Sequence, residues 1–162
     1  MIAIFNATPM IAFLFDIGDS RPLRLLLEIG YELRVPNYVR ASEVLKGGAP
    51  KALDELVEAN IFGEMTDADG GLLKAFMERH PQLGRGESEV ILAARSIAES
   101  GVPVVCVIDE RAGHDVAIDY GLLVIGTIGL LAKLAEQGQL SHAEHKALLA
   151  RLYGSNFWIG RK

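Results

Sequence analysis

The chain has 162 residues, with 16 Lys and Arg against 21 Asp and Glu, a formal net charge of -5, 50% hydrophobic and 23% charged residues. These proportions fit one globular domain over residues 1–162 and exclude a disordered chain, a collagen-like repeat and a disulfide scaffold. The single cysteine, Cys106, sits in the apolar run Val102 to Ile108 and reads as a small buried hydrophobe in a reducing cytosol, not as a catalytic thiol.

The opening stretch MIAIFNATPMIAFLF is apolar but lacks a basic leader and contains Asn6 and Pro9. It fits a buried strand, Ile2 to Phe5, running into a helix from Pro9 to Phe15 better than an export signal. Next come a strand at Leu33 to Val35 and a helix at Pro36 to Leu45, with Pro36 in its first turn. The span Pro50 to Met77 reads as two helices separated near Asp69 to Gly71. A long helix opens at Glu87 and Glu89 and runs to about Ser100. Strands at Val102 to Val107 and Leu122 to Val124 are followed by helices at Glu110 to Tyr120 and Ile128 to Gln137. Ser141 caps a last helix, His142 to Leu152. This alternation predicts an α/β fold, a three-layer sandwich with a parallel, Rossmann-like central sheet and helices on both faces. The apolar stretch Tyr120 to Leu131 is too short and Gly-rich to cross a bilayer, which needs about 20 apolar residues. A cytoplasmic protein with no membrane partner is expected.

In open parallel sheets ligands bind beyond the carboxyl ends of the strands. Asn6, Ala7 and Thr8 follow the first strand, and Asp109 and Glu110 follow the most hydrophobic one. Glu43 falls near the end of the helix after the second strand. At about 100° per residue, Glu87 shares a side with Val90, Ile91, Ala94 and Ala98 and points inward. Glu89 is turned roughly 200° away, towards Ser96 and Ser100, and ranks behind Glu87. Carboxylates converging from separate elements repel one another, and an oxygen-rich cluster suits Mg²⁺ or Mn²⁺. Taken singly, each acid is more often a solvated surface group; position favours Asp109 and Glu110. Arg21, Arg24, Arg34, Arg40, Lys46 and Lys51 precede an acidic stretch from Asp54 to Asp69 and offer a local basic face to a phosphate backbone.

Other motifs weigh less. Gly84, Arg85 and Gly86 form a GxG before a helix, but Glu87 and Glu89 follow and would repel a phosphate. His142 and His145 have no third ligand nearby in sequence, and His80 and His114 have no assigned role. Phe157 and Trp158 pack the tail onto the body, with stacking on a base or partner as the alternative.

The strings FNATPMIAFL, VPNYVRASEV, LGRGESEVILAA, VIDERAGHDVA, GLLVIGTIGLLAKLAEQGQL and SHAEHKALLARLYGSNFWIG follow one another along nearly the whole chain as in PIN domains. In this the chain resembles the PIN-like subgroup of predicted nucleic-acid-binding proteins. The resemblance implies a PIN-like α/β sandwich and a metal-dependent ribonuclease, a hydrolase leaving 5′-phosphate and 3′-hydroxyl ends. It also implies the toxin of a toxin–antitoxin pair, with an antitoxin protein as partner, and a homodimer. By position, Asn6 stands where the family has its first Asp, Thr8 at a hydroxyl that assists, and Glu43 at the second acid. Glu87 or Glu89 stands at the third acid and Asp109 or Glu110 at the fourth. Asn6 offers a carbonyl oxygen but no charge, so the site binds a cation more weakly than a four-acid site would.

The expected function is therefore Mg²⁺- or Mn²⁺-dependent cleavage of RNA. Glu43, Glu87, Glu89, Asp109 and Glu110 are the candidate ligands, and Asn6 and Thr8 would orient water. Arg21, Arg24 and Arg40 would hold substrate phosphates. The alternative is a catalytically weak PIN-like protein acting by RNA binding or protein–protein interaction, which Asn6 favours. The apolar helices at Pro9 to Phe15 and Ile128 to Leu134 are expected to leave a patch for a second copy to cover.

Overall fold

The computed structural model describes residues 1–44, 50–155 and 157, apart from the side chains of residues 43, 44 and 50. Five parallel strands form one sheet: β1 (Ile2–Phe5), β2 (Glu32–Pro36), β3 (Phe62–Met65), β4 (Val104–Val107) and β5 (Leu123–Ile125), in the order β3-β2-β1-β4-β5. Eight α-helices accompany them among the described residues: α1 (Ala7–Ile11), α2 (Arg21–Glu28), α3 (Pro50–Glu58), α4 (Gly70–Arg79), α5 (Arg85–Glu99), α6 (Arg111–Asp119), α7 (Thr127–Glu136) and α8 (His142–Tyr153). This is the three-layer α/β sandwich that the alternating pattern predicts.

The two faces of the sheet follow from the strand period of two. In β1, Ala3 and Phe5 enter a core with side chains from α1, α2, α3, α7 and α8, while Ile2 and Ile4 enter a second core with α4, α5 and α6. In β4, Val105 and Val107 join the first core, and Val104 and Cys106 the second. Both strands are buried on both sides, which is why they read as continuous apolar runs.

Several boundaries differ from the sequence expectation. Pro36 is the last residue of β2, not a first helical residue, because it lies in register with Met65 of β3. The helix expected from Pro9 begins at Ala7 and widens into a π-helical turn at Ala12–Asp16. Phe62–Met65, inside the span read as two helices, is an edge strand in which Phe62 is buried and Gly63 and Glu64 are exposed. Most of the expected apolar patch is core: Met10, Ala12, Phe13, Leu130, Leu131 and Leu134 are buried, and Phe15 is exposed.

Strand order reverses between β1 and β4: the chain moves outward through β2 and β3, then returns to the other side of β1 for β4 and β5. Phe5 pairs with Val107, and the Asn6 N–H donates to the Val107 carbonyl at 2.9 Å. The residues that follow β1 and β4 therefore leave the sheet side by side, at the crevice where such sheets bind ligands.

Candidate active site

Three polar side chains meet at this crevice. Asn6 is 2% exposed and donates through Nδ2 to Glu110 Oε2 at 3.4 Å. The Thr8 hydroxyl donates to the other oxygen, Glu110 Oε1. Glu110 precedes α6 and is thus held by a donor on each oxygen, both from the segment that follows β1. The Asn6 carbonyl oxygen, Oδ1, is buried without a hydrogen-bond partner. A buried acceptor in that state carries a desolvation cost that a cation or a water would offset.

Asp109 is held separately. It is 1% exposed, and Thr127 donates its backbone N–H to Oδ1 and its hydroxyl to Oδ2, each at 2.7 Å. Thr127 follows β5 by way of Gly126, where a Cβ would lie 2.7 Å from Asp109 Oδ1. Glycine is required by that close approach. The turn carrying Asp109 is also fixed from α6, since His114 Nε2 donates to the Ile108 carbonyl at 2.5 Å.

Glu87, in the first turn of α5, is half-buried and reaches towards α6, where a Cβ on Gly113 would sit 3.2 Å from its Oε2. Glu89 is more deeply placed than the helical wheel indicated, at 2% exposure. Its side of α5 does run towards Ser96, as expected, but the β3–α4 connection covers it. Ala68 N–H donates to Glu89 Oε2 at 3.1 Å, and a cavity of about 280 Å³ lies between Met65, Thr66, Leu72, Glu89 and Ser96. Burial pushes the Glu89 pKa up and the Asp67 charge adds to the rise, while the Ala68 hydrogen bond opposes it. Glu89 thus belongs to the β3 side of the structure, with Asp67, and stands apart from the Asn6–Glu110 contact.

Among the expected phosphate contacts, Arg21 pairs with Glu144 of α8 at 2.5 Å. Arg40 is bound to Asp54 at 2.7 Å and to Glu64. Arg24 is exposed on α2. The Glu43 side chain, Lys46 and Trp158 lie outside the described residues. The arrangement also holds polar residues without a sequence signal: Thr127, hidden behind an apolar helix pattern, and Tyr38, beyond β2, whose ring lies under the Arg85 guanidinium of α5.

Among the described residues no three His, Cys, Asp or Glu side chains form a group that could hold a metal ion. The donors present nevertheless fit a hard divalent cation in kind, since they are carboxylate oxygens with one unpartnered amide carbonyl, Asn6 Oδ1, buried beside them. Among the described residues no helix is long and apolar enough to cross a membrane.

No curated protein and no solved structure matches the chain. A family model does: DUF3368, described as a PIN domain, matches residues 2–162. Family and fold agree, because the match spans the five-stranded parallel sheet and the crevice at its carboxyl edge. PIN domains have a nuclease-type fold that interacts with nucleic acid and generally depends on a divalent metal, and the chain belongs to the PIN-domain family.

Proposed function

We propose that the chain is a Mg²⁺- or Mn²⁺-dependent ribonuclease, one cytoplasmic domain that hydrolyses phosphodiesters in RNA. The observation that carries this reading is Asn6 Oδ1, an acceptor buried without a donor beside Glu110 at the switch point of a PIN-domain sheet. Glu87, Asp109, Glu110 and Glu43 would hold the ion, with Asn6 contributing its neutral carbonyl. The bound ion would supply a water of lowered pKa and charge neutralisation at the scissile phosphate. The chain's own residues prepare for this. Thr127 fixes both oxygens of Asp109, and Asn6 and Thr8 hold Glu110.

A toxin role alongside an antitoxin protein, and a homodimer, belong to the same reading. Ile118 and Leu123, at 59% and 58% exposure near the β5 edge, support an apolar interface there.

The test is a melting curve with and without millimolar Mn²⁺ beside cleavage of a mixed RNA pool. A rise in Tm and metal-dependent cleavage are expected, because a ligand that binds only the folded state stabilises it by mass action. Neither a Tm shift nor cleavage in any divalent ion would sink the proposal.

One observation favours a second reading. Glu110 already receives two donors from the protein, so the cluster holds together without an ion. A catalytically weak PIN protein that binds RNA or a protein partner would leave the RNA pool uncut in the same experiment.

A further inference from the structure

Gly84, Arg85 and Gly86 open α5, and the acids that follow argue in sequence against a phosphate at this loop. The structure gives each of those acids its own surroundings. Glu87 lies between the loop and α6, where a Cβ would sit 3.5 Å from its Oε1 at Gly84 and 3.2 Å from its Oε2 at Gly113, and Glu89 is buried under the β3–α4 connection. Arg85 stands near Asp67 and Glu89 on the β3 side, with its guanidinium carbon 4.1 Å from the centroid of the Tyr38 ring. Tyr38 is itself held by Asp67, whose Oδ1 accepts from the Tyr38 N–H at 2.9 Å. The other Asp67 oxygen is 3.8 Å from Arg85 Nη2, which is beyond hydrogen-bond length. Asp67 therefore attracts the guanidinium without occupying its N–H donors. Arg21 and Arg40, in contrast, are bound to carboxylates at hydrogen-bonding distance.

The Arg85 side chain is 42% exposed. A guanidinium laid over a ring is restrained in orientation, so it loses less freedom when its donors meet a phosphate, and its outer surface can stack on a base. Arg85 also precedes Glu87 by two residues in the same helical turn, at the carboxyl edge of the sheet.

We propose that Arg85, stacked on Tyr38, is a nucleic-acid-binding element of this site, taking a backbone phosphate of single-stranded RNA on its N–H edge and the adjoining base on its open face. The inference rests on the RNA-directed reading above and adds the residue that brings the strand to the acids.

The test uses the full chain in EDTA, so that binding is read without cleavage, and a labelled single-stranded RNA oligonucleotide titrated over a series of salt concentrations. Arg85→Gln is expected to weaken binding about tenfold and to lower the slope of log affinity against log salt by about 0.7, the value for one phosphate contact on a single strand. Arg85→Lys keeps the slope but loses affinity several-fold, because an ammonium does not lie flat on Tyr38. Tyr38→Leu loses affinity to a similar extent, and Arg40→Gln loses less than Arg85→Gln. Melting curves confirm that each variant is folded. If the wild-type chain binds RNA and Arg85→Gln binds with the same affinity and slope, the inference is overturned while the nuclease reading stands. If the wild-type chain binds no RNA even at low salt, the RNA-directed reading fails and takes the inference with it.

Discussion

Thr127 grips Asp109 by both carboxylate oxygens, through its backbone N–H and its hydroxyl, in a contact where neither residue is more than 1% exposed. Removing the hydroxyl alone takes one donor away from a buried oxygen. Thr127→Val, nearly isosteric, should cost about 1.5–3 kcal/mol, the range for a hydrogen bond to a charged group. Thr127→Ser keeps the hydroxyl and should lose clearly less. Urea denaturation of the pair decides it, and equal losses would mean that the hydroxyl contributes nothing.

Two glycines give a second comparison. A Cβ would meet an atom at 2.7 Å at both Gly126 and Gly129, but the neighbour is Asp109 Oδ1 in one case and Ile125 Cγ1 in the other. The clamped carboxylate cannot yield, whereas an isoleucine at the sheet edge can turn. Gly126→Ala should destabilise by about 1–3 kcal/mol, the usual range for overpacking. At Gly129, inside α7, the cost is offset by roughly 1 kcal/mol of helix propensity. The order of the two denaturation midpoints checks this.

Asn6→Asp exchanges the amide donor to Glu110 for a like charge at almost unchanged volume. Without metal the variant should lose about 1–2 kcal/mol, combining a lost hydrogen bond with carboxylate repulsion. Millimolar Mn²⁺ should recover that loss and raise Tm more in the variant than in the wild type. A metal-free Tm equal to that of the wild type would show that Asn6 and Glu110 do not interact in solution.

Glu89 supplies the pH-dependent case. Its pKa is raised by burial and by Asp67, so the folded state holds a proton more tightly than the unfolded chain does. Stability is then greatest below the unfolded pKa near 4.5 and declines as pH rises through the folded value. Glu89→Gln mimics the protonated form and keeps the oxygen that accepts from Ala68. It should therefore be the more stable protein at pH 7, with the higher Tm. The advantage should disappear towards pH 4. A variant less stable than wild type at pH 7 would show that the charged form is the favoured one.

Cys106 is fully buried in β4, and burial pushes its thiol up to about 12. A thiol reagent at pH 8 should leave the native protein unmodified and should react at the rate of global opening. Rapid labelling of the folded chain would contradict the placement of β4.

How much of this was legible in the sequence depended on burial. The central strands β1 and β4 are apolar on both faces and stood out as runs, and Asp109 and Asn6 were found because they end those runs. β3 was invisible for the opposite reason: Gly63 and Glu64 are exposed on an edge strand, where pairing with β2 rather than side-chain pattern makes the strand. α2, with Leu23, Leu25 and Leu26 buried, was read only for its arginines. The helical wheel points Glu87 inward and turns Glu89 away, yet Glu89 is the more buried of the two, at 2% exposure. It could not show that the β3–α4 connection folds over that side. Thr127 carries no signal of its own in sequence, since its partner is 18 residues away across the β4–β5 pair.

The Asn6–Glu110 contact joins residues 104 positions apart, through strands that are neighbours at the centre of the sheet. During synthesis, therefore, Asn6 and Thr8 leave the ribosome long before Glu110, and their contact with it closes only once β4 and the start of α6 have emerged. A chain cut before β4 therefore lacks the acid that Asn6 and Thr8 hold, whatever else of the sheet it can form.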